Sequence, residues 1–150
     1  MIVTNESGSR QDDMGRISLE FKVVNNQDLI LAKRGGLAAD EVRSQMIDGI
    51  IDTGAAQLVL PESLATTLGL EDEGTATVRY ADQRTAVRRT VTDVRLFLLG
   101  RTGVFSAIVE PSRSNALIGA IVLEALDLIV DCATQKVHPR DPDRIVAEIE

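Results

Sequence analysis

Residues 50–61 read IIDTGAAQLVLP. Two β-branched residues run directly into Asp52, a small tripeptide breaks the run, and apolar residues resume at Leu58. An apolar strand that ends on a carboxylate is costly unless the acid is paired or put to use. Asp-Thr-Gly alone is a common turn sequence: Asp caps, Thr bonds to nearby backbone, and Gly accepts positive φ. What separates this copy from a surface turn is Ile50-Ile51, which predicts that Asp52 stands at the end of a buried strand.

Outward from that stretch the pattern is mostly that of strands. Ile17, Leu19, Phe21 and Val23 alternate with Ser18, Glu20 and Lys22, predicting a half-buried strand closed by a turn at Asn25-Asn26. Residues 27–43 leave alternatives open: Leu29-Ile30-Leu31 suits a short strand, and LAADEVRSQ a helical turn or an irregular excursion. A strand over about 44–51 delivers Asp52, and Leu58-Val59-Leu60 is another. Pro61 suits the start of a short helix, ESLATTL, with Gly69 as its stop. After a polar loop at Glu71-Asp72-Glu73-Gly74, the residues Ala76, Val78 and Tyr80 mark a strand. Ala81-Asp82-Gln83-Arg84 turns that strand into one starting near Ala86, forming a hairpin. Further strands are expected at about 91–99 and 103–109. AIVLEAL at 120–126 is the one substantial helix, after which LDLIVD returns to strand. The count predicts a mostly-β chain with one short helix in its C-terminal half.

The chain has 150 residues, 44% of them hydrophobic, which suits one domain with its own core. Residues 1–13 read as a polar flexible tail and 14–140 as the domain. Residues 141–150 read as an extension in which Ile145, Val146 and Ile149 share one face of a short helix. With one Tyr, three Phe and no Trp, the core must be aliphatic, and stacking platforms for bases are lacking. A net charge of −7 repels phosphate and argues against nucleic acid. A single cysteine, Cys132, forms no internal disulfide, and a single histidine, His138, builds no His-rich metal site. No metal or other cofactor is expected. Cys132 reads as a core or half-buried thiol, His138 as a surface residue, and Arg88-Arg89 as a solvated strand edge, with a role in steering acidic substrates as the alternative. MIVTNESGSRQDD lacks the basic and apolar regions of a secretion signal. ALIGAIVLEALDLIV is too short and too acidic to span a bilayer. The expectation is a soluble cytoplasmic protein with no membrane partner.

A second feature echoes the first. Ala116-Leu117-Ile118-Gly119 is again an apolar strand that stops at glycine, here followed by a helix. A glycine at 119 suits a place where any side chain would collide with the loop carrying Asp52. DTGA and ALIG-plus-helix, with a hairpin between them, resemble the retropepsin-like aspartic peptidases, which include the retroviral proteases and their cellular and bacterial relatives. The likeness runs from about Ile17 to His138. It implies a closed, barrel-like, mostly-β fold working as a homodimer, one Asp from each subunit.

The chemistry asks for the same pairing. Hydrolysis of an amide by water needs one group to take a proton and another to give one. Two carboxylates in contact share a proton, as in the aspartic proteases at large, and they titrate as a unit. This chain carries one Asp-Thr-Gly, and a two-fold axis supplies a second. By resemblance, Asp52 is the catalytic carboxylate, Thr53 bonds across the dimer beneath the pair, and Gly54 offers its N–H beside it. Ala55 stands where pepsin-like relatives often have Ser. The missing hydroxyl removes a donor to the carboxylate and predicts a pH optimum less acidic than pepsin's.

Ala81, Asp82 and Gln83 occupy the place of the flap that closes over an extended polypeptide substrate. Ala55 and Gly119 complete the expected substrate-binding set. Three features depart from the family pattern. Relatives usually carry Gly at the flap tip, where Gln83 falls. The Asp and Arg that brace retroviral dimers are Ala56 and Ala120 here. Residues 141–150 run past the usual end. The sequence therefore predicts an aspartic endopeptidase, with a catalytically silent binding or assembly module on the same fold as the alternative. An unrelated β domain in which DTGA is merely a turn is the third possibility.

Overall fold

The computed structural model describes residues 9–11 and 16–141, with the single positions 143, 145, 147 and 149. In chain order the elements begin with β1 (Ser9–Gln11), β2 (Ile17–Asn25), α1 (Asn26–Lys33) and a 3-10 turn at Ala39–Glu41. Then come β3 (Ser44–Ile51), β4 (Leu58–Pro61), α2 (Glu62–Thr67), β5 (Glu71–Arg79) and β6 (Thr85–Leu98). The chain continues with β7 (Arg101–Glu110), β8 (Ala116–Ile118), α3 (Ala120–Ala125), β9 (Leu128–Asp131) and β10 (Lys136–Pro139). Within the expected tail 1–13, Ser9–Gln11 pair antiparallel with β2, and the rest of that expectation lies outside the described residues. So do alternate positions of 141–150, on which the expected helix face with Val146 falls.

Six strands, in the order β2-β3-β8-β4-β7-β6, close on themselves because β6 also pairs with β2. The result is the mostly-β barrel that the sequence predicts. Alternation in β2 works as expected: Ile17, Leu19, Phe21 and Val23 point into the core while Glu20 and Lys22 face outward. The interior is aliphatic, with Phe21 its one fully buried aromatic side chain. Leu64, Ala65 and Leu68 around α2, and Val122, Leu123 and Leu126 around α3, pack against the same cluster. Among the described residues no helix is long and apolar enough to cross a membrane.

β6 joins the barrel to the hairpin. Its first half pairs with β5, up to Thr92, and its second half pairs with β2 through Val94 to Phe97. Between them the register with β7 shifts at Val91/Val94, and Asp93 takes φ 58. A bulge of this kind bends and twists a strand, which lets one strand serve two neighbours. The sequence predicts two strands here because the bulge interrupts the apolar alternation. Glu71–Gly74, expected as a loop, instead begins β5, paired to β6 with its own shift at Asp72/Gly74.

The clearest correction is α1. Asn25-Asn26 is not a simple turn, because the Asn25 side chain accepts from the Asp28 amide and caps an eight-residue helix. Leu29-Ile30-Leu31 therefore lies in a helix, with Ile30 and Leu31 exposed. The same Asn25 donates from Nδ2 to the Leu68 carbonyl at 2.9 Å, tying α1 to the end of α2. α2 and α3 fall on the short helix expected after Pro61 and the one expected at 120–126, so α1 alone is the helix that the sequence does not announce.

The feature that builds the site is the placing of β8. β3 and β4 follow each other in the chain yet do not pair; β8 lies between them, parallel to β3 and antiparallel to β4. The loop from β3 to β4 must therefore cross the end of β8.

Candidate active site

Asp52 is the first residue of that crossing loop. Its amide donates to the Ile118 carbonyl at 3.0 Å, fixing the loop to the last residue of β8. The Ala55 amide donates to the Asp52 carbonyl at 3.1 Å, and the Gly54 amide donates to Asp52 Oδ1 at 3.0 Å. The carboxylate is thus oriented by the turn it belongs to, an arrangement for which Asp is well suited. On the far side, Ala120 N–H donates to the Ala55 carbonyl at 2.8 Å and Ile121 N–H to the Ala56 carbonyl at 3.0 Å. The first amides of a helix lack intrahelical partners, and here the loop supplies them.

Gly119 lies between these bonds. A Cβ there would stand 2.7 Å from the Ala55 carbonyl oxygen and 2.9 Å from the Ala56 carbonyl carbon, and would also strike the Gln57 carbonyl oxygen. All three are backbone atoms, so no side chain can move aside. The collision that the sequence predicts at this position is present. Gly54 is less constrained, since a Cβ would meet only Asp52 Oδ1, at 3.3 Å.

The expectation of a buried acid is corrected. Gly49 and Ile50 are buried and Ile51 is half-buried, but Asp52 is itself half-buried and Thr53 and Gly54 are exposed. The strand is covered by the barrel, whereas the loop rises out of it onto an open face. Within a single chain, the carboxylate has one side toward a cleft.

That cleft has a volume of about 900 Å³. Asp52, Gly54 and Ala55 line it together with Val78 to Ala81 of the β5–β6 hairpin, Arg84 and Arg88. Ile108, Glu110 and Arg113 line it as well. The hairpin and the Asp52 loop therefore share one cleft. Of the residues assigned to substrate, Ala55 and Ala81 line the cleft. Asp82 and Gln83 sit at the tip, off its wall, and Gly119 lies beneath the loop. At the tip, the Gln83 amide donates to the Tyr80 carbonyl at 2.9 Å and the Tyr80 amide to the Arg84 carbonyl at 2.8 Å. Gln83 has φ 73, the left-handed conformation in which three-residue hairpin loops favour glycine. Asp82 accepts from the Arg84 amide at 3.0 Å and from Arg84 Nε at 2.7 Å, bracing the turn.

Sequence reasoning passes over the polar cluster at the base of the hairpin. Tyr80 Oη donates to Glu110 Oε2 at 2.6 Å, and Arg88 Nε donates to Tyr80 Oη at 3.0 Å and to Glu110 Oε1 at 2.9 Å. Arg84 and Arg88 also lie over the Tyr80 ring, 5.2 and 6.0 Å from its centre. Arg88 is therefore a cleft residue and not a solvated edge. Arg89, its neighbour on the opposite face, pairs with Asp72 at 2.7 Å. The signal was the only tyrosine in the chain, set one residue before a turn and eight before an arginine on the paired strand.

Two smaller expectations also change. Cys132 is exposed, because it begins the turn between β9 and β10. His138 is half-buried on β10, with Nδ1 2.8 Å from the Pro139 carbonyl oxygen. Ala56 and Ala120 do face the loop crossing, but through backbone atoms alone.

A family model described as aspartyl protease matches residues 39–122. The matched span opens just ahead of β3 and closes in α3, so it contains the Asp52 loop, the hairpin and Gly119. No curated protein matches the chain.

Proposed function

The chain belongs to the aspartyl protease family, and on that premise we propose that it is an aspartic endopeptidase whose active site needs two copies. In this reading Asp52 meets the Asp52 of a second copy at a two-fold axis, and the two carboxyl groups share one proton. A water held between them attacks the peptide carbonyl carbon and passes a proton to the charged carboxylate. The protonated carboxyl gives its own proton to the carbonyl oxygen. Collapse of the resulting diol, with a proton returned to the nitrogen, breaks the C–N bond. Thr53 and Gly54 hold the two loops in register, and the hairpin through Ala81 lies over the extended substrate.

The observation that carries this reading is the state of the cleft's carboxylates. Among the described residues lining it, Asp52 and Glu110 are the only two, and Glu110 is already committed to Tyr80 and Arg88. A partner for Asp52 must come from elsewhere, and Asp52 has an open side to receive it.

The test is peptide hydrolysis by the purified chain and by Asp52→Asn. Loss of hydrolysis by about 1,000-fold or more, with the fold retained, supports the reading. Binding of peptides without hydrolysis by either protein identifies the silent module instead.

A further inference from the structure

We propose that the cleft selects polypeptide segments carrying acidic side chains beside the bond presented to Asp52, with Arg113 as their principal receiver. The inference rests on the reading of this cleft as a peptide site and adds the class of substrate. The chain as a whole has a net charge of −7. This one cleft reverses the sign: Arg79, Arg84, Arg88 and Arg113 line it against Asp52 and Glu110, with no lysine.

The four arginines are not equally engaged. Arg88 is matched to Glu110 at 2.9 Å, and Arg84 shares its charge with Asp82 at 2.7 Å. Arg79 is exposed, and its alternation with Tyr80 along β5 sets its side chain on the other face of the hairpin. Arg113 donates to the Asn115 carbonyl oxygen at 3.1 Å and to Asn115 Oδ1 at 2.6 Å, both neutral acceptors. Burial holds the Arg113 guanidinium below its usual range, the nearby Arg16 charge acts in the same sense, and the Glu110 and Asp52 charges oppose both. A carboxylate arriving from substrate would act in the same sense as those two acids.

Geometry makes arginine the suitable residue. Its planar fork binds a carboxylate through two parallel hydrogen bonds, which neither a glutamine nor a lysine side chain on the substrate can match. A concave wall with an excess of positive charge focuses its field on whatever enters, and it disfavours basic side chains as it favours acidic ones. Nucleic acid is the poorer anionic occupant. The cleft's only aromatic ring, Tyr80, already has Arg84 and Arg88 over it, leaving no stacking platform.

The test uses the Asp52→Asn chain and three fluorescent peptides, identical except for Glu, Gln or Lys on both sides of the central bond. Anisotropy gives their dissociation constants. The Glu peptide is expected to bind about tenfold tighter than the Gln peptide, with the Lys peptide weakest. Arg113→Gln in the same background should remove the Glu advantage; circular dichroism checks that the fold persists. Equal binding of all three peptides, binding of none, or a preference untouched by Arg113→Gln overturns the inference. Hydrolysis by the unsubstituted chain separates this inference from the reading beneath it. Cleavage of the Gln peptide as fast as the Glu peptide overturns the acidic preference and leaves the peptidase standing. Selective binding of the Glu peptide with no cleavage of any supports the preference and removes the peptidase.

Discussion

Gly119 and Ala55 meet backbone to backbone: a methyl group on Gly119 would stand 2.7 Å from the Ala55 carbonyl oxygen. The contact exists because β8 separates two strands that are consecutive in the chain, so the loop joining them must pass over its end. Asp52, whose amide is bonded to Ile118, is positioned by that crossing. Gly119→Ala must push the loop off β8 and is expected to cost about 3 kcal/mol. A urea titration reads this as a lower midpoint. An unchanged midpoint would show that the crossing is not as tight as described.

The hairpin is held at its base by the Tyr80 hydroxyl, which bridges Glu110 and Arg88. Tyr80→Phe leaves Glu110 Oε2 without that donor and is expected to destabilise the fold by about 1 kcal/mol. Amide exchange across the Tyr80–Arg84 turn should quicken at the same time, since β5 loses its side-chain bond to Glu110 on β7 while Arg88 keeps its own. Stability and exchange identical to the unsubstituted protein would deny the bridge any role.

Gln83 adopts φ 73 without being glycine. That conformation costs an L-residue about 1–2 kcal/mol, whereas glycine relieves the strain but has more freedom to lose on folding. Gln83→Gly is therefore expected to be neutral or slightly stabilising. Gln83→Val, branched at Cβ, should be destabilising by more than about 1 kcal/mol. Thermal denaturation of the pair checks the order, and a valine variant as stable as the glycine variant would contradict it.

Acid sensitivity should centre on Asp28. Hydrogen bonds from the Arg43 side chain hold its carboxyl below the usual carboxylate range, outweighing the opposing effect of burial. A carboxyl with a lowered folded value stabilises the protein above its unfolded value of about 3.9, and that stabilisation is lost as pH falls through the lowered value. Asp82 and Asp131 are pulled the same way by hydrogen bonds within their own turns, and at the exposed Asp82 solvent screens the effect. Urea midpoints of Asp28→Asn measured between about pH 2 and 6 should fall less steeply on acidification than those of the unsubstituted protein. Parallel curves would remove Asp28 as the source.

Much of this arrangement can be read from the residues. The alternation in β2, the apolar approach to Asp52 and the stop at Gly119 each reflect a local rule of burial or steric access, and each appears where expected. What stays hidden depends on partners distant in the chain. Leu29-Ile30-Leu31 follows a strand pattern, and only the Asn25 cap, itself bonded to Leu68, makes it a helix. β6 reads as two strands because its bulge serves two different neighbours. Arg88 reads as solvated because Glu110, its partner, is 22 positions away on another strand. The half-burial of Asp52 was equally hidden, since it depends on where the loop crosses β8.

The central claim is that one active site requires two Asp52 residues. Mixing a fixed amount of the unsubstituted chain with rising amounts of Asp52→Asn chain, after exchange of subunits, tests it through the rate of peptide hydrolysis. The account predicts that activity falls toward zero as mixed pairs replace matched ones, because a mixed pair holds only one of the two carboxylates. Activity that stays constant while the inactive chain accumulates would show that each chain works alone, and would contradict the account.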